Sequence, residues 1–140
     1  MPYKIQVRDK DRLVLSRIWG TLDNETFSNY IFATEALKQI PEDYRLLVIL
    51  DPETELEMDT QFIRSLAQRP PVFGAGSNRV IVATENVAFG LSRIYTMESR
   101  TMGDQYTIVR TVEEAVKILK LDLACITAAV PNAASEFNGK

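Results

Sequence analysis

Apolar and polar positions alternate in "YKIQV" at residues 3–7, then a polar cluster, "RDKDR", interrupts, and "RLVLSRIWG" runs on to Gly20. Two such runs around a polar turn predict an antiparallel hairpin over 3–8 and 12–19. The second run is apolar on both faces in part, the pattern of a strand covered on both sides. "RLLVIL" (45–50) and "RVIVA" (79–83) are short, continuous and apolar, which predicts two buried strands, and "QYTIVR" (105–110) predicts a fifth.

Between these runs the period changes from two to about 3.6. Phe27, Tyr30, Ile31, Thr34 and Leu37 recur at spacings of three and four, which predicts a helix with one mostly apolar stripe. Asp23 suits its N-cap, because a carboxylate there accepts a free first-turn N–H. Leu22 and Phe27 stand at hydrophobic-staple spacing, and Pro41 is the expected stop. Thr34 interrupts the stripe with a hydroxyl that a helix satisfies on its own backbone one turn back. "DTQFIRSLAQR" predicts a short helix closed by Pro70 and Pro71, followed by a loop, "PPVFGAGSN". "ENVAFGLSRIYTMESRTM" predicts the longest helix, with Val87, Leu91, Ile94, Tyr95 and Met102 near one face. "TVEEAVKILK" predicts the last, opened by a capping box of Thr111 and Glu114.

Strands that alternate with helices after a hairpin predict an α/β fold with right-handed crossovers. The expected sheet is mixed and five-stranded, an N-terminal antiparallel hairpin followed by parallel strands, covered by about four helices. At 140 residues one domain is expected, over 1–125. "LDLACITAAV" is apolar enough to dock on it, and residues 126–140, ending in "PNAASEFNGK", are the expected mobile tail.

Composition removes chemistry. The chain has no histidine, so a Ser-His-Asp triad and a His-ligated zinc are both ruled out for one chain. Its single cysteine, Cys125, rules out an internal disulfide and has no basic neighbour to activate it. A net charge of −3 lacks the basic footprint of a nucleic-acid binder. No apolar run reaches the roughly 20 residues of a membrane span, and the N-terminal residues carry no stretch of signal-peptide type, so a cytoplasmic protein is expected.

The order of elements over about residues 3–120 resembles the STAS domain, the fold of anti-sigma-factor antagonists. In that family a buried strand ends in Asp, a second Asp follows, and then a pair of serines opens a helix, the second accepting a phosphate. "LDPETELEMDTQF" shares the Asp pair as Asp51 and Asp59, but Thr60 stands at the first serine and Gln61 at the acceptor. The resemblance thus implies a fold whose kinase switch is lost at residue 61, with the Thr60 hydroxyl as a displaced candidate phosphosite. "RLV" with Gly20 and Leu22, and "SNRVIVATENVAFGLSRIYTME", more closely resemble the SpoIIAA-like bacterial proteins, grouped with STAS and CRAL-TRIO lipid-binding folds.

Ligands of α/β sheets favour the carboxyl ends of parallel strands, which puts Asp51, the stretch 84–86 and Arg110-Thr111 on one expected rim. There Asp51 and Glu85 form a candidate carboxylate pair for Mg²⁺ or acid–base work, set against a plain role as loop and cap residues. The acids at 53, 55, 57 and 59 alternate as in a calcium loop, but Leu56 and Phe62 stand where that loop needs glycine and glutamate, so a solvated acidic loop is expected. "FGAGSNR" precedes a strand and does not open a helix, unlike a phosphate loop. On the long helix Arg93 shares a face with Asn86 and Arg100, and Arg93 and Tyr95 are the candidate contacts for a ligand or partner; the alternative for Arg93 is to lie over the surface or pair with Glu98 or Asp104. Gly90 inside that helix suggests close packing or room for a ligand. Trp19, Phe32, Phe62, Phe73 and Phe89 are expected in the core or an interface.

With no nucleophile–base pair, no metal set and no cofactor motif, an enzyme is not expected. The leading expectation is an interaction module that binds another protein or itself as a homodimer. The alternative is a binder of a small apolar or amphipathic, lipid-like ligand.

Overall fold

The computed structural model describes residues 2–37, 40–41, 43–69, 78–103 and 105–122. Their architecture is α/β. A five-stranded sheet has the order β1-β2-β4-β6-β7, formed by β1 (Tyr3–Arg8), β2 (Leu13–Ile18), β4 (Arg45–Leu50), β6 (Arg79–Ala83) and β7 (Thr107–Val109). β1 and β2 are antiparallel and every later pairing is parallel, so the mixed sheet expected from the hydrophobic pattern is the one observed. Four helices connect and cover it: α1 (Asn24–Glu35), α2 (Thr60–Ala67), α3 (Asn86–Arg100) and α4 (Val112–Leu119).

Alternation along the strands builds two cores. Val14, Ile18, Leu46, Val48, Leu50 and Ile81 face one side, where they meet Tyr30 and Ile31 of α1, Leu66 of α2 and Ala88 of α3. Leu13, Leu15, Leu47, Ile49, Val80 and Val82 face the other, together with Ala115, Val116 and Leu119 of α4. The central strands are buried on both faces, and that is why they read as continuous apolar runs.

The helix starts are where the local chemistry put them. Asp23 Oδ1 accepts from Thr26 N at 2.8 Å, and Asp59 Oδ1 accepts from Phe62 N at 2.7 Å. Thr111 and Glu114 complete both halves of the capping box. The staple is present as well: Leu22 is buried in the first core and Phe27 packs against it. Thr34 Oγ1 donates to Ile31 O at 2.7 Å, back along its own helix.

Three details depart from expectation. α1 ends at Glu35, short of Pro41. Second, β3 (Thr21–Asp23) and β5 (Glu55–Glu57) pair in parallel as a separate two-stranded sheet. Each is only three residues long, too short for alternation to show; the acidic stretch taken for a loop thus supplies a strand. Gly20, at φ +73°, turns the chain from β2 into β3, in backbone space that favours glycine.

The third concerns α3. Its packed face is Ala88, Ser92, Thr96 and Ser99, while Val87 is 65% exposed. Small side chains set this helix close to its neighbours; of the predicted face Leu91, Ile94 and Tyr95 are half-buried, and Val87 and Met102 are exposed. Gly90 is exposed, and a Cβ there would meet nothing within 4 Å, so neither close packing nor a ligand space explains it. Gly90→Ala is therefore expected to stabilise the protein by about 1 kcal/mol, from helix propensity and the lost freedom of the unfolded chain. Urea denaturation of the variant checks this; an unchanged or lower midpoint would show that residue 90 is constrained by something besides its own helix.

Pro70, Pro71, the "FGAGS" loop with Phe73, Asp104, Cys125 and the expected tail lie outside the described residues. So does "LDLACITAAV" beyond Asp122.

Candidate functional site

Between the first face of the sheet and the three helices α1, α2 and α3 lies an apolar cavity of about 100 Å³. Its floor is Ile18 of β2, Leu46, Val48 and Leu50 of β4, and Ile81 of β6. α1 contributes Phe27, Tyr30, Ile31 and Thr34, and α2 contributes Ile63 and Leu66. α3 closes it with Ala88, Leu91, Ser92 and Tyr95. The small residues on the inner face of α3 leave this space, since alanine and serine at 88 and 92 stop short of the floor.

Three phenols converge on it. Tyr30, Tyr95 and Tyr106 line the cavity, and the Tyr95 ring meets Phe27 and Tyr106 edge to face at 5.8 and 5.9 Å between centroids. Burial pushes all three phenols up, Tyr95 to about 12 and Tyr106 and Tyr30 further. They are neutral hydrogen-bonding groups at any physiological pH. Ser16 Oγ, fully buried on the same face of β2, is close to the Tyr30 hydroxyl yet has no partner in hydrogen-bond geometry among the described residues.

The rim carries an ion pair. Arg69, just past α2, grips Glu35 at the end of α1 with two parallel hydrogen bonds, Nη2 to Oε1 at 2.7 Å and Nε to Oε2. Both residues line the cavity, and Arg69 is the exposed one of the set, so the mouth lies there. The Arg69 guanidinium also covers the ring of Phe32, 5.0 Å from its centroid, which leaves Phe32 half-exposed at the surface.

The structure scatters the candidate residues read from sequence. Tyr95 is in the cavity. Arg93 is exposed on the outer face of α3 with Asn86 and Arg100, and it is not among the lining residues. Asp51 follows the alternation of Leu47 and Ile49, so it faces the side of the sheet away from the cavity. There its Oδ1 accepts from Arg17 Nε at 2.6 Å, with the two side chains 11% and 14% exposed. Glu85 is the exposed N-cap residue of α3 and makes no capping bond. Asp51 already serves Arg17, and the described residues contain no group of three or more side chains able to hold a metal.

Thr60 is the first residue of α2, exposed beside Gln61. Next to it Asp59 is occupied by Phe62 N and Asn24 Nδ2, contacts that hold its carboxyl below the usual range. On the expected rim of strand ends, Arg110 donates to Thr84 O and to Asn86 Oδ1 and lies over the Phe89 ring, 4.0 Å from its centroid. These contacts join the ends of β6 and β7 to α3.

Sequence reasoning missed the Glu35–Arg69 pair and the Tyr30 and Tyr106 phenols. Only the Tyr–Tyr and Arg–Glu residue types were visible in the chain; their meeting depends on how α1, α2 and α3 cross the sheet. No helix among the described residues is long and apolar enough to cross a membrane. The chain matches no protein-family model and no curated protein.

Proposed function

We propose that this protein is a non-enzymatic binder of a small apolar or amphipathic ligand, held between the sheet and helices α1–α3. The observation that carries the reading is the apolar cavity with three neutral phenols at its edge. Cavities lined by aliphatic and aromatic side chains stay dry and take up small apolar molecules; one of about 150 Å³ accepts benzene. The present space, about 100 Å³, is smaller but open at the mouth, so the ligand's apolar end is expected inside and the remainder at the mouth. A STAS-like or SpoIIAA-like relationship fits this role, since the order of elements resembles that fold and Gln61 removes the phosphoacceptor.

Benzene titration followed by methyl NMR tests the reading. Saturable shifts are expected for Leu46, Ile63 and Ile81, with none at Val116 or Leu119 beneath α4. Absence of saturation at the first group would sink it, and Arg93→Ala is expected to leave the titration unchanged.

A second reading has one observation in its favour. Val87 and Met97 on α3 are 65% and 59% exposed, on the same outer face as Gly90 and Arg93. Such a strip suits a protein partner, including a second copy of this chain.

A further inference from the structure

We infer that the cavity selects an uncharged ligand, a short hydrocarbon group bearing one hydroxyl or carbonyl, with that polar group seated on the Tyr95–Tyr106 hydroxyls and the hydrocarbon directed toward Leu46, Val48 and Ile81. The inference rests on the binding reading above and adds the chemical class.

The charged side chains that line the cavity pair with each other, while the buried Arg79 guanidinium lies behind the Tyr106 ring, 5.7 Å from its centroid. Among the described residues that line the cavity, Glu35 and Arg69 are the charged ones, and each satisfies the other through two parallel bonds. A carboxylate entering the mouth has to displace Glu35 from Arg69, and an ammonium has to displace Arg69 from Glu35. Either exchange leaves a new unpaired charge beside apolar walls, which is costly. A neutral polar group displaces nothing.

The polar capacity of the cavity is neutral. A protonated phenol donates one hydrogen bond and accepts others, and Tyr95 and Tyr106 both line the cavity with their rings edge to face at 5.9 Å. Thr34 is not a competitor, because its hydroxyl is committed to Ile31 O. Tyr95 lines the same cavity as Glu35 and Arg69 at the mouth and Leu46, Val48 and Ile81 at the floor. A ligand hydroxyl that reaches Tyr95 leaves its carbon chain pointing inward.

The test compares 1-hexanol, hexanoate and hexylamine at neutral pH, with benzene as the hydrocarbon control, by NMR titration of the full chain. Hexanol is expected to bind at least about tenfold tighter than either ion. Tyr95→Phe keeps the ring and removes the hydroxyl; it should weaken hexanol about tenfold, near 1.4 kcal/mol, and leave benzene unchanged. Glu35→Gln frees the guanidinium of Arg69, so hexanoate should gain about tenfold relative to hexanol. Hexanoate equal to hexanol in the wild type, or hexanol indifferent to Tyr95→Phe, overturns the inference while leaving the cavity a binding site. Failure of all four probes, benzene included, overturns the binding reading itself.

Discussion

The protein is expected to lose stability steeply above pH 10. Burial raises the phenols of Tyr30, Tyr95 and Tyr106 above the ordinary value of 10.0, Tyr95 to about 12. In the unfolded chain these groups release their protons near pH 10, while in the folded state they keep them. Their contribution is therefore complete below pH 10 and is lost as pH rises toward the folded values. Each phenol costs about 1.4 kcal/mol per pH unit in that window, or about 4 kcal/mol per unit for the three. Against a typical total of about 5–15 kcal/mol, unfolding within a few pH units follows. Urea denaturation at a series of pH values between about 8 and 11 measures the slope, with phenolate absorbance as a second signal. Tyr95→Phe should remove roughly a third of that slope. Three phenols that titrate near pH 10 in the folded protein, with stability unaffected, would mean that water reaches the cavity floor.

Asp51→Ala is expected to destabilise the fold by about 2–3 kcal/mol, with no effect on ligand titration. Asp51 and Arg17 are mostly buried, and the ion pair ties the end of β4 to β2. Removing the carboxylate leaves the Arg17 guanidinium short of a charged partner in a poorly solvated place. The backbone around it holds, since Asp51 N donates to Ile18 O at 2.9 Å and Thr54 Oγ1 donates to the same carbonyl. Chemical denaturation gives the magnitude. A loss under about 0.5 kcal/mol would put the pair with solvent-screened surface bridges and reopen a ligand role for Asp51.

The contrast between Asp51 and Tyr95 shows how far the sequence reaches. Strand positions, sheet order and helix starts follow from short-range signals: a period of two or 3.6, an Asp or Thr one residue ahead of a helix, a continuous apolar run. These involve neighbours in the chain, and the chain displays them. Asp51 looked like a rim ligand because strand ends often bind ligands. Its actual partner, Arg17, lies a whole helix and crossover away, and the alternation that turns it from the cavity depends on which face α1, α2 and α3 cover. The sequence offers Tyr95 as a candidate contact on the long helix without Tyr30, Tyr106, Glu35 or Arg69, which reach the same cavity through tertiary packing alone. The face of α3 is legible only in part, at Leu91, Ile94 and Tyr95, for a related reason. Its inner residues are small, and hydrophobic periodicity weighs large side chains most.

The small β3–β5 sheet gives the roof of the cavity a mechanical character. β3 runs directly into α1 and β5 leads into α2, so the parallel pairing ties the two helices together at their beginnings, reinforced by Asn24 on Asp59. At their far ends, among the described residues, the same helices meet through Arg69, which pairs with Glu35 and covers Phe32 in a partly exposed contact. Two arms fastened at one end and lightly clasped at the other form tweezers. On the proposed binding role, ligand traffic is expected past the clasp, and added salt, which weakens the clasp more than the fastened end, is expected to quicken both arrival and departure.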